Sequence, residues 1–297
     1  MSKIIVGVDL STESERAVGH AVAAARRIGS ELVVVLVDVV PDTPIGPPEA
    51  MRIVTDRYTE ILAERFEGHR RELAALRERW QGHGVELSQL LVDGFADERL
   101  AAVATEVGAE LIVVGSHGRS GFKRFLIGSV AEHVTRRADQ SVLVARGEAP
   151  DGGYRRVVIG TDFSDGAERA LARAVPLIAR GGRIELVHCW QQPWLYVFGE
   201  AVAVAPDDEL RRAQAQALAA ASVRLRATAL RERPDLEVVD RLISAAPAQG
   251  LVDTAAIRDA DLVVVGSHGR RGVRRFVLGS VAEVTIRHAP CSVLVTR

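Results

Sequence analysis

The sequence predicts an α/β fold built twice, as two tandem doubly wound domains in which helices cover both faces of a parallel sheet. Three observations carry this reading. Residues 111–132 recur at 262–283 with 16 of 22 positions identical, and Ile5-Val6-Gly7-Val8-Asp9-Leu10-Ser11 answers to Val158-Ile159-Gly160-Thr161-Asp162-Phe163-Ser164 at an offset that stays within 151 to 153 residues. The strand runs are apolar throughout and alternate with helical patterns, the signature of a parallel sheet buried on both sides. The 297 residues divide into two units of ordinary domain size, about 100–200 residues each.

Each element has its own signal. Residues 3–8 are an unbroken apolar run, and residues 12–28 place Ala17, Val18, Ala21, Val22 and Ala25 on one helical face before Gly29 stops the helix. A strand at 32–40, a proline-rich connection at 41–48 and a long helix to about Trp80 come next. A strand at 85–92, a helix at 97–107, a strand at 111–114, a glycine-rich loop, a helix at 129–137 and a strand at 142–145 complete the unit. The second half repeats this plan with a variable connection at 192–206. Pro150 and Gly152-Gly153 mark the joint, which sets the domains at 1–147 and 155–297 with 148–154 as linker.

The formal charge of −1 and pI near 6.7 give no whole-chain reason to expect nucleic acid or an anionic membrane. Cys189 and Cys291 lie in different elements without metal-ligand spacing, which fits a reduced, cytoplasmic setting. The chain opens almost directly on a strand, with no signal-like segment and no apolar stretch of about 18 residues, so a soluble protein that stays where it is made is expected.

Ligands of doubly wound sheets sit beyond the carboxyl ends of the strands, where strand order reverses. The residues to watch are therefore Asp9 and Ser11 after the first strand, and the loop opening at Gly115 after the fourth. Gly115 and Gly118 permit positive φ and close approach of backbone to a ligand. Gly128 and Ser129 open a helix whose unpaired N–H groups and positive dipole end suit an anion. Ser129 and Ser280 add hydroxyls. Arg119, Lys123 and Arg124, with Arg270, Arg271, Arg274 and Arg275, form a basic cluster in a slightly acidic chain. The competing reading is a solvated turn with Ser129 as a plain helix cap. Neither Gly-x-x-x-x-Gly-Lys-[Ser/Thr] nor a Gly-x-Gly-x-x-Gly after the first strand is present, so a P-loop hydrolase or dinucleotide enzyme is not indicated.

Gly115-x-x-Gly118, nine residues, then Gly128-Ser129, repeated as Gly266, Gly269, Gly279 and Ser280, resembles the nucleotide signature of ATP-binding members of the universal stress protein family. Val8-Asp9, His188 and Val142-Leu143-Val144 resemble that family as well, and the likeness covers essentially the whole chain. It implies a Rossmann-like, adenine nucleotide alpha hydrolase-like fold with a five-stranded parallel sheet per domain. It implies ATP, or ADP or AMP, held with Mg²⁺ or Mn²⁺. Phosphates would lie on Gly115, Ser116, His117, Gly118, Arg119, Gly128, Ser129 and Val130, and on Gly266, Ser267, His268, Gly269, Arg270, Gly279, Ser280 and Val281. The adenosine end would lie near Val8, Asp9, Ser11, Val39 and Gly94, and near Thr161, Asp162, Ser164 and Cys189, with Cys189 as counterpart of Val39. Asp9 and Ser11 also read as helix-capping residues, with Thr12-x-x-Glu15 and Asp165-x-x-Glu168 as capping pairs; both roles can hold together. His117 and His268 can touch phosphate or ribose, or simply face solvent.

The halves differ. Ala245 stands for Gly94 and Pro247 for Ala96, so the first site is expected to bind more tightly or equally. No Cys-His or Ser-His-Asp arrangement is legible, and the acidic residues after the strands are single. A nucleotide-binding stress or regulatory protein is the leading reading. The alternatives are a slow ATPase or nucleotidyl-transfer enzyme, and a nucleotide-free dimerisation module. The family likeness further implies that the closing strands pair, making a pseudo-two-fold dimer within one chain, with a further homodimer of chains open; the other reading caps each edge with its own loops.

Overall fold

A computed structural model of the chain describes residues 2–39, 48–117, 127–190, 194–197, 200–203, 208–267 and 278–297. Gly118, Arg119, His268, Gly269, Arg270 and the other basic residues of the two loops lie outside them.

The first half runs β1 (Lys3–Val8), α1 (Thr12–Ile28), β2 (Glu31–Asp38), α2 (Pro48–Trp80), β3 (Leu87–Asp93), α3 (Ala96–Glu106), β4 (Ala109–Gly115), α4 (Ser129–Arg137) and β5 (Ser141–Ala145). The second runs β6 (Tyr154–Gly160), α5 (Asp165–Ala174), β7 (Ile178–Trp190), β8 (Trp194–Val197), β9 (Glu200–Ala203), α6 (Asp208–Glu232), β10 (Glu237–Ser244), α7 (Pro247–Ile257), β11 (Leu262–Gly266), α8 (Ser280–His288) and β12 (Ser292–Thr296). Helix α1 shows why these segments fold as they do. Ser11 accepts from the Ser14 N–H at its start, Glu13 and Glu15 occupy its first turn, and Arg26 and Arg27 its last. Gly29 closes it with φ 68°, a left-handed conformation that suits glycine.

Several sequence expectations shift. Strand β2 stops at Asp38 rather than 40, and β3 starts at Leu87 rather than 85 because Gly82 and Gly84 both take positive φ and prolong the turn. The 192–206 connection carries an antiparallel hairpin, β8 with β9. Helix α5 is 10 residues against 17 in α1. Pro176 lacks the N–H that would continue it, and the chain passes through a 3₁₀ turn, Val175–Leu177, into β7.

Apart from the β8–β9 hairpin, the strands within each half pair in parallel, in the order β3-β2-β1-β4-β5 and, equivalently, β10-β7-β6-β11-β12. Order reverses between β1 and β4, and between β6 and β11, which places a crevice at each of those points. Strands β5 and β12 pair antiparallel, Val144 with Val293, Leu143 with Leu294 and Val142 with Val295, so one ten-stranded sheet runs through the chain. Two apolar layers cover it. One joins α1, α2, α5 and α6 to side chains such as Leu143 and Leu294; the other joins α3, α4, α7 and α8 to Val142, Val144, Val293 and Val295.

Reciprocal contacts reinforce the seam. Arg146, after β5, donates to the carbonyls of Ile286 and Ala289 at the end of α8, while Arg297, after β12, donates to those of Thr135 and Arg136 at the end of α4. Arg136 pairs with Glu132 and Glu283, and Arg287 with the same two carboxylates, at 2.8–3.2 Å in a closed ring. These groups are partly solvated, so each pair is worth at most about 1 kcal/mol. Beside the linker, buried His20 of α1 meets the Tyr154 hydroxyl at 2.8 Å and the Gly147 carbonyl at 3.3 Å. A carbonyl only accepts, so the neutral ring donates through Nε2 and accepts the tyrosine proton at Nδ1. Burial lowers the His20 pKa and favours that neutral form.

Candidate functional site

At the first crevice the chain leaves β1 through Asp9, turns at Leu10 with φ 63°, and enters α1 at Ser11. Asp9 Oδ1 accepts from the Ser11 N–H at 3.0 Å and from its hydroxyl at 2.5 Å. The second half repeats this: Phe163 has φ 61°, and Asp162 Oδ1 accepts from Ser164 N at 3.0 Å and Oγ at 2.6 Å. A left-handed conformation at a bulky residue costs energy and persists where surroundings over-determine it. Here the aspartate supplies that constraint in both copies. The capping residues are Ser11, to Ser14 N, and Ser164, to Ala167 N. The expected Thr12–Glu15 and Asp165–Glu168 pairs thus shift, because Thr12 and Asp165 are already inside the helices.

The glycine loop departs from β4 through a narrow neck. Ser116 N donates to Ala145 O at 3.1 Å, and Gly128 N donates to Ser116 O at 2.7 Å; the corresponding distances at Ser267 and Gly279 are both 2.9 Å. Helix α4 then starts with Gly128 as its cap residue, at φ −64° and ψ 146°, and α8 with Gly279 at −64° and 145°. Neither cap has a side chain to offer, so among the described residues the N–H groups of Ser129, Val130 and Ala131, and of Ser280, Val281 and Ala282, receive no side-chain cap. Ser129 is the first helical residue rather than the cap. Gly115 is needed for space, not for positive φ: a Cβ there would lie 3.2 Å from His117 O and 3.3 Å from Glu13 O. Ser116 and Ser267 are buried in the necks. His117 Nδ1 meets Ser116 Oγ at 3.0 Å, and its Nε2 is buried without a hydrogen-bond partner among the described residues.

Over the ends of β4, β1 and β2 lies a cleft of about 500 Å³. Its walls bring together Val8, Asp9, Val39, Gly115, His117, Gly128, Ser129 and Val130, a volume in the range of small-molecule sites. Ser11 is not a wall but is hydrogen-bonded to Asp9, which is. Gly94, at φ 121°, is not a wall but donates its N–H to the carbonyl of Asp38, which is. A larger groove of about 750 Å³ runs between α1, Trp80 and the linker, away from the loop.

Among the wall residues that the sequence did not point to are three with ionisable side chains, Asp38, Arg65 and His69. Asp38 is only 4 % exposed, and Arg65 of α2 donates to it at 2.6 Å and to Val39 O at 2.9 Å. His69 Nδ1 lies 3.5 Å from the same carboxylate. The available signal was one acid within the apolar run 32–40, with a cation and an imidazole four residues apart on the next helix.

The second crevice departs from the first. Strand register pairs Gly7 with Val35 and Gly160 with Val187, which makes Cys189 the counterpart of Val37, not of Val39 as expected from sequence. Cys189 packs against Gly250 and approaches Pro247 O at 3.6 Å; burial pushes its thiol up to about 11. Trp190 takes the place of Asp38: its carbonyl accepts from Ala245 N as that of Asp38 accepts from Gly94 N. The Thr161 carbonyl accepts from His188 Nδ1 at 2.8 Å. Among the described residues no three His, Cys, Asp or Glu side chains gather as a metal cage, and no helix is long and apolar enough to cross a membrane.

Comparison with known proteins agrees with this architecture. Residues 1–146 and 153–297 each match the universal stress protein family. The universal stress protein Rv2005c of Mycobacterium tuberculosis is 33% identical over 304 residues, covering 99% of this chain and 96% of its own length. A universal stress protein of Mycolicibacterium smegmatis is 30% identical with the same coverage. The crystal structure of a universal stress protein from Archaeoglobus fulgidus superposes with a TM-score of 0.61 at 21% identity, over 99% of this chain and 96% of that one, a likeness of fold. Two successive matches of that extent, on two doubly wound units, mean that the chain belongs to the universal stress protein family.

Proposed function

We propose that the chain is a nucleotide-binding regulatory or stress-survival protein in which each half, 1–147 and 155–297, holds an adenine nucleotide, ATP, ADP or AMP, at its glycine loop. The observation that carries this reading is the pair of uncapped helix starts, Gly128-Ser129 and Gly279-Ser280, each aimed by a hydrogen-bonded neck at the point where strand order reverses. Three successive free amides and the positive end of a helix dipole are chemically matched to phosphate oxygens. The loop residues Gly118, Arg119, His268, Gly269 and Arg270 belong to the same proposal on sequence grounds. Mg²⁺ or Mn²⁺ would enter on the phosphates, as Mg²⁺ commonly does.

Asp9 and Asp162 fix the αL turns that shape the floor, so their contribution to binding is through backbone position. The β5–β12 pairing and the reciprocal Arg146 and Arg297 caps support reading the two halves as a pseudo-two-fold dimer within one chain, one site per half. The cytoplasm is the proposed setting. Occupancy of the first site is expected to be the tighter, because Gly94 and the polar wall at Asp38 exist only there. Isothermal titration of the full chain with ATP, alongside mass spectrometry of whatever nucleotide co-purifies, tests the reading: absence of heat with ATP, ADP and AMP in the presence of Mg²⁺ or Mn²⁺ sinks it.

A further inference from the structure

We propose that Arg65 and His69 of α2, held by Asp38, recognise the nucleobase end of the ligand in the first half, making that site base-selective in a way the second half cannot be. The proposal rests on the nucleotide reading above and extends it to residues outside the glycine loop.

Geometry orients the ligand. In the nucleotide reading the phosphate end is set by the amides at Ser129–Ala131 above β4. The cleft continues across β1 to β2, two strand spacings or about 10 Å, roughly the reach of a nucleoside from its 5′ oxygen. The far wall is therefore where a base would lie, and it consists of Val37, Asp38, Val39, Arg65 and His69. Arg65 uses one Nη for both Asp38 and Val39 O. Among the described residues its Nε and the Nδ1 of His69 are buried without a hydrogen bond, although that Nδ1 lies 3.5 Å from Asp38 Oδ1. Buried nitrogens of this kind are normally satisfied, and adenine carries the ring nitrogens N1, N3 and N7, which accept hydrogen bonds. A small reorientation of Arg65 on its flexible stem brings donors to such acceptors while Asp38 keeps the charge paired.

The second half shows that the trio behaves as a unit. In the second half the matching stretch of α6, residues 213–223, has no charged or imidazole residue. Trp190 replaces Asp38 in the strand register. All three members are lost together, as expected if none is useful without the others.

The test uses the full chain with Ser280→Pro, which removes one amide of the second cradle, so that heat reports the first site. Two probes separate the two ends: inorganic tripolyphosphate for the cradle and ATP for the whole cleft. Arg65→Met is expected to weaken ATP at least tenfold and to leave tripolyphosphate within twofold. Should Arg65→Met fold poorly, the Asp38→Asn/Arg65→Met pair, which leaves no unpaired buried charge, serves for the same comparison. ATP affinity unchanged within twofold overturns the proposal, as does a parallel loss of both probes, which would make the Asp38–Arg65 contact purely structural. Tripolyphosphate bound without any preference for ATP also overturns it while leaving the cradle intact; binding of neither probe by the unsubstituted chain removes the nucleotide reading itself.

Discussion

Ser129→Pro isolates the helix-start amide from everything else in the first site. Proline is well accepted at the first helical position, where the N–H has no intrahelical acceptor, and its fixed φ near −65° is already helical. The residue before a proline prefers ψ of about +120 to +160°, and Gly128 sits at ψ 146°. The bond from Glu132 N to Gly128 O is untouched. Helix α4 should therefore persist, with a stability change within about 1 kcal/mol. The substitution deletes one backbone N–H and one hydroxyl that face the cleft. Hydrogen bonds to a charged group contribute about 1.5–3 kcal/mol each, and with partial compensation by neighbouring amides the loss should be about 2–4 kcal/mol, or roughly 30- to 700-fold in Kd. Ser129→Ala, which removes the hydroxyl alone, should show the smaller share. Titration calorimetry with Mg-ATP, in the Ser280→Pro background so that one site reports, measures this directly. Wild-type affinity within threefold, in a Ser129→Pro protein that melts normally, would refute the assignment of the α4 amides as phosphate ligands.

Three further outcomes concern the frame that holds the sites. Tyr154→Phe leaves His20 Nδ1 buried without its donor and should cost about 1–3 kcal/mol in urea unfolding; a cycle with His20→Leu that shows no coupling would contradict the hydrogen bond. Burial lowers the His20 pKa from 6.5, so as pH falls below about 6.5 the unfolded chain takes up the proton first. Stability then declines with acid by up to about 1.4 kcal/mol per pH unit until the folded ring titrates, and a His20→Gln protein should lack that part of the slope. Gly153 has φ 106°, and a Cβ there would stand 2.7 Å from Leu177 O. Gly153→Ala should destabilise by about 2–4 kcal/mol, more than Gly181→Ala, where φ is 64° but the space is open; equal melting points for the two would refute the steric argument.

Much of the fold was legible in sequence because it rests on local and repeated signals. The apolar runs at β1, β4, β5 and their copies have no partner pattern but a buried parallel sheet, and the duplicated Gly-Ser start of α4 and α8 is a short-range feature readable without contacts. Register was less visible. The family likeness set Cys189 against Val39, whereas the ladder sets it against Val37, because a side chain's counterpart is decided by cross-strand hydrogen bonds. Capping by Ser11 and Ser164 was legible, but the Thr12–Glu15 and Asp165–Glu168 pairs are not the caps, because Asp9 and Asp162 hold Leu10 and Phe163 in the left-handed region and start the helices one residue earlier.

The sequence by itself determined that the chain is two doubly wound units with glycine loops opening helices, since periodicity and repetition are properties of neighbours in the chain. Only the tertiary structure decided that Asp38, Arg65 and His69 form one wall, that the last strands of the two halves pair as the family likeness implied and are not each capped by their own loops, and that Arg146 and Arg297 each close the other half's helix. Those pairings link residues 27 to 162 positions apart, and contacts across such distances depend on how the elements pack, which no local pattern records.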